Sequence, residues 1–225
     1  MKKNRSSGHS LFEKIEIELS QYSLEILGNF KTNQTDTDLT EIKTLILIGP
    51  SEPRFWKLFC KSKEYLDSKA DPLDRWSKRI ITKISKQINA EAFFPFGEKI
   101  WPFFSWATRC QGINTSPVKL LVHHKKGLFL SFRGALGVKE TLEDKRKIDV
   151  CDNCSKPCLT ACPVNALGKN GYDVNKCKTH VVSDFGEKCR SGCLVRTSCP
   201  IGSNLRLPEQ SYFHMKSFLK TSLMA

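Results

Sequence analysis

The segment Cys151-Asp-Asn-Cys154-Ser-Lys-Pro-Cys158-Leu-Thr-Ala-Cys162-Pro163 packs four cysteines into a short run and closes on a Cys-Pro pair. A looser block follows, with Cys177, then Cys189-Arg-Ser-Gly-Cys193, then Cys199-Pro200. Of the 10 cysteines, only Cys60 and Cys110 lie outside these blocks. Dense thiols make a disulfide framework in an oxidising compartment and a metal or redox site in a reducing one. A tight loop followed by a helical turn brings four thiolates together from tetrahedral directions, as an iron-sulfur cubane requires. Structural zinc is the alternative, with Cys154-x3-Cys158 and Cys189-x3-Cys193 as ligand pairs. Zinc asks neither for the Cys-Pro endings nor for four ligands in so short a run, so clusters are expected.

The first block resembles the two-cluster ferredoxin domain, whose motif is C-x2-C-x2-C-x3-C-P. Here the motif reads C-x2-C-x3-C-x3-C-P, one residue longer, and the resemblance runs from Cys151 to Pro200. It implies two [4Fe-4S] clusters with crossing ligands. Cys151, Cys154, Cys158 and Cys199 would hold one, and Cys162, Cys177, Cys189 and Cys193 the other. The eight cysteines then divide into two sets of four with none left over. The second block departs further from the motif through its long gap between Cys177 and Cys189. Ala161, Ala166, Gly192 and Gly202 are small enough to let backbone amides approach the sulfurs, while Lys156, Lys188 and Arg190 add positive charge.

Composition sets the frame for this reading. A chain of 225 residues with 40% hydrophobic and 26% charged residues has room for one large domain or two small ones. The net charge of +13 is spread along the chain, with no arginine-rich tract and no RNA-binding signature. It reads as a lysine-rich solvated surface, and alternatively as a docking face for an acidic redox partner protein. No nucleic-acid partner is expected. No apolar run approaches the roughly 18 residues of a membrane span. Met1-Lys2-Lys3-Asn4-Arg5 opens like a signal peptide, but Glu13, Lys14, Glu16 and Glu18 follow at once, so a cytoplasmic protein is expected.

Upstream of the cysteines, Phe12, Ile15, Leu19, Tyr22 and Leu27 fall near helical spacing and predict one amphipathic helix over 11–30. Thr44-Leu45-Ile46-Leu47-Ile48 before Gly49-Pro50 predicts a strand buried on both faces. A helix from Ser51 or Pro53 carries Trp56, Phe59, Cys60 and Leu66. The clearest helix has Asp71 as candidate N-cap, Pro72 at its first position and Leu73, Trp76, Ile80, Ile84 and Ile88 on one face. Glu91 to Phe96 predicts a strand, and 119–123 and 128–132 predict two more around a turn at 124–127. Residues 139–149 form a charged linker. The tail residues Tyr212, Phe213, Met215, Phe218 and Leu219 predict a last helix packing back on the body.

Asp71-Pro-Leu-Asp-Arg-Trp-Ser-Lys-Arg-Ile80 and Leu120-Leu-Val-His123-His-Lys-Lys-Gly127-Leu-Phe-Leu-Ser-Phe-Arg-Gly134-Ala-Leu136 resemble segments of the epoxyqueuosine reductases. That resemblance implies a nitroreductase-like domain followed by a two-cluster ferredoxin domain, and cobalamin as a further cofactor in the first. No acidic residue matches the family's catalytic position, Glu98 being the nearest, and Gln111-Gly112-Ile113-Asn114 replaces a glycine-rich segment. The expected fold is α+β, with a layered α/β domain over 11–140, a ferredoxin-type domain over 148–207 and a C-terminal helix over 208–225. The expected function is cytosolic electron transfer through two [4Fe-4S] clusters. Two alternatives are a reductase whose clusters feed a corrinoid or other cofactor, and an interaction protein stapled by structural clusters. The aromatic stretch Phe93, Phe94, Phe96, Trp101, Phe103, Phe104 and Trp106 reads as core, with a cofactor ring as the alternative. His123, His124, His180 and His214 have no partner in the sequence pattern and read as structural or exposed. Cys60, and Cys110 beside Arg109, read as small core residues.

Overall fold

The structure, a computed structural model, describes residues 10–142 and 150–220. The described residues divide into two units, one of residues 10–101 and 132–142 and one of residues 102–131 and 150–220.

In the first unit, helix α1 (Leu11–Ser20) opens on a capping box. The Ser10 hydroxyl accepts from the Glu13 amide and the Glu13 carboxylate accepts from the Ser10 amide at 2.8 Å. The predicted helix over 11–30 stops here. Ser23 takes φ +51 and the chain enters strand β1 (Leu24–Lys31). A bulge between Ile26 and Gly28 leaves Leu27 as the extra residue in the register against β2 (Thr44–Pro50). The buried residues Leu24, Leu27 and Phe30 are therefore three apart, which imitates a helical period inside a strand. Strand β2 is buried at every position, as its continuous apolar run predicts.

Two short helices, α2 (Arg54–Phe59) and α3 (Lys63–Leu66), stand where a single helix is expected. Helix α4 (Pro72–Gln87) follows, then strand β3 (Glu91–Phe93), shorter than predicted. Asp71 precedes α4 but makes no side-chain cap. It sits in the left-handed region at φ +48, and Pro72 opens the helix. Trp76, Ile80, Ile81 and Ile84 form the buried face of α4, and Trp76 meets the edges of Phe55 at 5.4 Å and Phe59 at 6.0 Å. Arg79 grips the buried Glu64 with two hydrogen bonds, which fixes α3 to α4 and holds the Glu64 carboxyl below its ordinary range. The last strand of this sheet is β6 (Gly134–Val138), giving the order β1-β2-β6-β3 with all neighbours antiparallel. Helix α4 packs against β3 and β6.

The second unit begins with helix α5 (Phe103–Arg109) and the strand pair β4 (Ile113–Thr115) and β5 (Leu121–His123). Thus β5 pairs backwards with β4, and residues 128–132 form no strand. The reason is tertiary: the Leu128 carbonyl accepts from the Arg196 guanidinium, and the Phe129 carbonyl accepts from Arg206 at 3.2 Å. Carbonyls occupied in this way are lost to a ladder. Beyond residue 150 come a two-stranded ribbon, β7 (Leu167–Gly168) and β8 (Gly171–Tyr172), and the helices α6 (Val174–Val182), α7 (Glu187–Arg190), α8 (Leu194–Thr197) and α9 (Pro208–Lys220). Helix α9 packs on α7 with Gln210 and Ser211 buried. The fold is α+β. Whereas the sequence places residues 102–131 with the first domain, their contacts group them with the cysteine segment. The predicted linker residues 143–149 and the tail residues 221–225 lie outside the described residues.

Trp76, 1% exposed, anchors the aromatic cluster under the first sheet. Its replacement by alanine is expected to cost about 3–5 kcal/mol of unfolding free energy, read from urea denaturation.

Candidate metal centre

The cysteine thiols converge in two places within the second unit. Cys151, Cys154, Cys158 and Cys199 line one small cavity. Cys162, Cys177, Cys189 and Cys193 line another. These are the two sets that the ferredoxin resemblance implies. Cys158 lies on a single turn of 3-10 helix over Pro157–Leu159, and Cys177 on α6, whose first turn is capped by the Asp173 carboxylate accepting from the Lys176 amide at 2.9 Å. Cys189 belongs to α7, while Cys193 and Cys199 flank α8. Pro200 lines the first cavity and Pro163 the second, so each Cys-Pro pair reaches its cavity with both residues.

Backbone geometry holds Cys199 in place. Gly127 has φ +54, and a Cβ there would stand 1.9 Å from the Ile201 carbonyl oxygen and 2.9 Å from the Cys199 sulfur. A Cβ on Gly202 would stand 2.7 Å from the Lys126 carbonyl. The turn after β5 and the Cys199–Gly202 segment thus press backbone to backbone. The turn itself is closed by reciprocal hydrogen bonds between His123 and Gly127, at 3.0 and 2.8 Å. Val118, Val122 and Leu128 add apolar wall, packed against Cys158 and Cys199.

Amide donors meet the sulfurs in both places. The Lys156 amide donates to the Cys154 sulfur at 3.3 Å, and the Ala166 amide donates to the Cys162 sulfur at 3.2 Å. The Tyr172 hydroxyl hydrogen-bonds to Cys177, and burial raises its own pKa. Burial pushes the Cys158, Cys177 and Cys189 thiols up, and neighbouring thiols of the same cavity push the same way. The cation of Lys178 sits 4.5 Å above the Phe218 ring, which stacks on Tyr172 at 6.4 Å, and Met215 completes the wall beside them. Among the described residues, no three of His, Cys, Asp or Glu gather closely enough for a single metal ion. A cubane holds each thiolate on its own iron, so it asks for a wider spacing than the roughly 2.3 Å bonds to one zinc impose. The two cavities, their thiol sets and their amide donors fit such a group.

The other candidate residues lie in varied surroundings. Cys110 is buried and its thiol donates to the Trp106 carbonyl at 3.5 Å. His123 is buried, and its Nδ1 accepts from the Lys125 amide at 3.1 Å. His180 lines the second cavity, a place that no sequence pattern assigned to it. The aromatic stretch divides between the two units. Phe93 is buried with its ring edge-on to Trp101 at 4.8 Å, Phe103 and Trp106 are buried in the second unit, and Phe104 is exposed. Rings committed to packing lend no support to a cobalamin site. Glu98 is exposed. Sequence reasoning missed Arg133, whose largely covered guanidinium lies 3.7 Å from the Asp74 carboxylate, itself raised in pKa by burial. Nothing in the pattern around Phe132-Arg133-Gly134 announced this pair.

A four-stranded antiparallel sheet layered with helices, joined to a unit with two four-thiol cavities, defines the class: an α+β protein with a cysteine-built second unit. Its backbone is similar to the crystal structure of selenomethionine-labelled epoxyqueuosine reductase. The TM-score is 0.51 at 14% sequence identity, covering 88% of this chain and 68% of that one. At that identity the likeness is one of fold. No protein-family model matches the sequence, and no curated protein matches it. No helix among the described residues is long and apolar enough to cross a membrane.

Gly127→Ala is expected to destabilise the chain by about 2–4 kcal/mol, the sum of backbone strain and overpacking, measured by denaturant unfolding. Gly171→Ala is the control. It has φ +115 but open space around the added Cβ, so only the backbone strain is expected.

Proposed function

We propose that the chain is an iron-sulfur electron-transfer protein holding two [4Fe-4S] clusters, the first on Cys151, Cys154, Cys158 and Cys199 and the second on Cys162, Cys177, Cys189 and Cys193. The observation that carries this reading is the partition of eight thiols into two cavities, four in each and none shared. Bound clusters supply one-electron exchange. The chain's own residues do the rest. Val122, Leu128 and Ile201 keep water from the first cavity, and Leu167, Val181 and Val195 from the second. The Lys156 and Ala166 amides place partial positive charge on sulfur, which favours the more negative, reduced state. Thiols held protonated by burial must release their protons when iron binds, so assembly is coupled to pH and is favoured as pH rises. The excess of lysine and arginine in the cysteine segment fits an acidic redox protein as the partner.

Anaerobic purification followed by iron and sulfide analysis tests the assignment. About eight irons and eight sulfides per chain are expected. Cys158→Ala and Cys189→Ala are each expected to lose about half of the iron, one from each set. Zinc in place of iron, or a single variant that removes all of the iron while the chain stays folded, overturns the two-cluster reading.

A further inference from the structure

Ser116 occupies the turn between β4 and β5, outside the cysteine segment in sequence. Its amide donates to the Leu120 carbonyl at 2.7 Å, and its carbonyl accepts from the Lys119 amide at 2.9 Å. The backbone is thus satisfied within the turn, and only the hydroxyl is left over. Ser116 is 4% exposed, and its Oγ has no hydrogen-bond partner among the described residues. A buried hydroxyl without an acceptor is costly, so native proteins rarely keep one unless a partner is bound. Ser116 lines the cavity of Cys151, Cys154, Cys158 and Cys199. Its neighbours in that wall, Pro117, Val122 and Leu128, offer no side-chain acceptor. The side-chain acceptors that remain in the cavity are sulfurs.

We propose that Ser116 donates an O–H···S hydrogen bond to the first cluster, to a sulfide or a ligating sulfur, and thereby raises its reduction potential. The inference rests on the two-cluster reading above. Accepting one electron adds one negative charge to the cluster, and a hydrogen-bond donor stabilises the more negative state more strongly. The second cavity offers a parallel, since Tyr172 brings a hydroxyl to Cys177. Each cavity therefore meets one hydroxyl from a strand or turn that carries none of its cysteines.

The test is a redox titration of the anaerobically purified full chain, followed by electron paramagnetic resonance, in wild type and Ser116 variants. In Ser116→Ala the reduced-to-oxidised ratio of one cluster at fixed ambient potential is expected to fall about tenfold, a shift of about 59 mV for a one-electron couple. The other cluster is expected to stay unmoved, Ser116→Gly to behave like Ser116→Ala, and Ser116→Thr to restore the wild-type curve. Superimposable titrations of wild type and Ser116→Ala overturn the proposal, as do equal shifts of both clusters. Loss of a cluster from both hydroxyl-free variants, with the threonine variant intact, also overturns it and makes Ser116 structural. The iron content of the wild type separates the two readings. Fewer than about eight irons per chain removes the clusters themselves, whereas a full complement with an unmoved potential removes only the role of Ser116.

Discussion

The second unit depends on one close approach of backbone to backbone. At Gly127 the chain after β5 comes so near Ile201 that a single added carbon has nowhere to go, and Gly202 meets Lys126 equally closely. This contact sets where Cys199 stands, and Cys199 is the thiol farthest in sequence from the other three of its cavity. Three cysteines within one tight loop can find a common centre through local geometry alone. The fourth arrives from 41 residues beyond Cys158 by sequence numbering, and only tertiary packing can deliver it. The two glycines are therefore part of the site, although neither touches the chemistry with a side chain.

Burial and hydrogen bonding act on the thiols in opposite directions. Desolvation favours the neutral thiol at Cys158, Cys177 and Cys189, and the clustering of like groups adds to it. The Tyr172 hydroxyl favours the thiolate at Cys177, while the Lys156 and Ala166 amides donate to the Cys154 and Cys162 sulfurs. Such a balance suits a site that must exclude water yet tolerate added negative charge. A wall of apolar side chains alone would resist the reduced state, and a wall of exposed donors would admit solvent.

The parts that were legible in the sequence are those whose information is local. The cysteine spacing announced that thiols would gather after Cys151, and the unbroken run over Thr44–Ile48 announced the buried strand β2. The face of α4 was legible because Leu73, Trp76, Ile80 and Ile84 repeat at one period. Strand β1 was hidden by its bulge, which spaces Leu24, Leu27 and Phe30 like a helix. The strand expected at 128–132 failed because its carbonyls are taken by Arg196 and Arg206, separated from them by 68 and 77 residues. Ser116 gave no signal at all, since a serine before a proline in a turn has an ordinary local explanation. Its significance comes from what surrounds its hydroxyl, not from its neighbours in the chain.

The way the two units share the chain bears on what the cysteine segment is. A self-sufficient ferredoxin module would carry its own walls. Here the first cavity draws Ser116, Pro117, Val122 and Leu128 from a stretch that precedes the first cysteine of the segment, and Gly127 from the same turn seats Cys199. That stretch is bracketed by β3 and β6 of the first sheet, so the chain leaves the first unit, builds the wall of the first cavity, and returns to complete the sheet. The second cavity has no such debt: its walls come from residues after Cys162, with Met215 of α9 closing one side. The first cavity is therefore tied through the chain to the folding of the sheet unit, while the second can form from contiguous sequence. On the same physical ground, the two sites should differ in how they respond to damage in the first half of the chain, with the Cys199 site the more sensitive of the two.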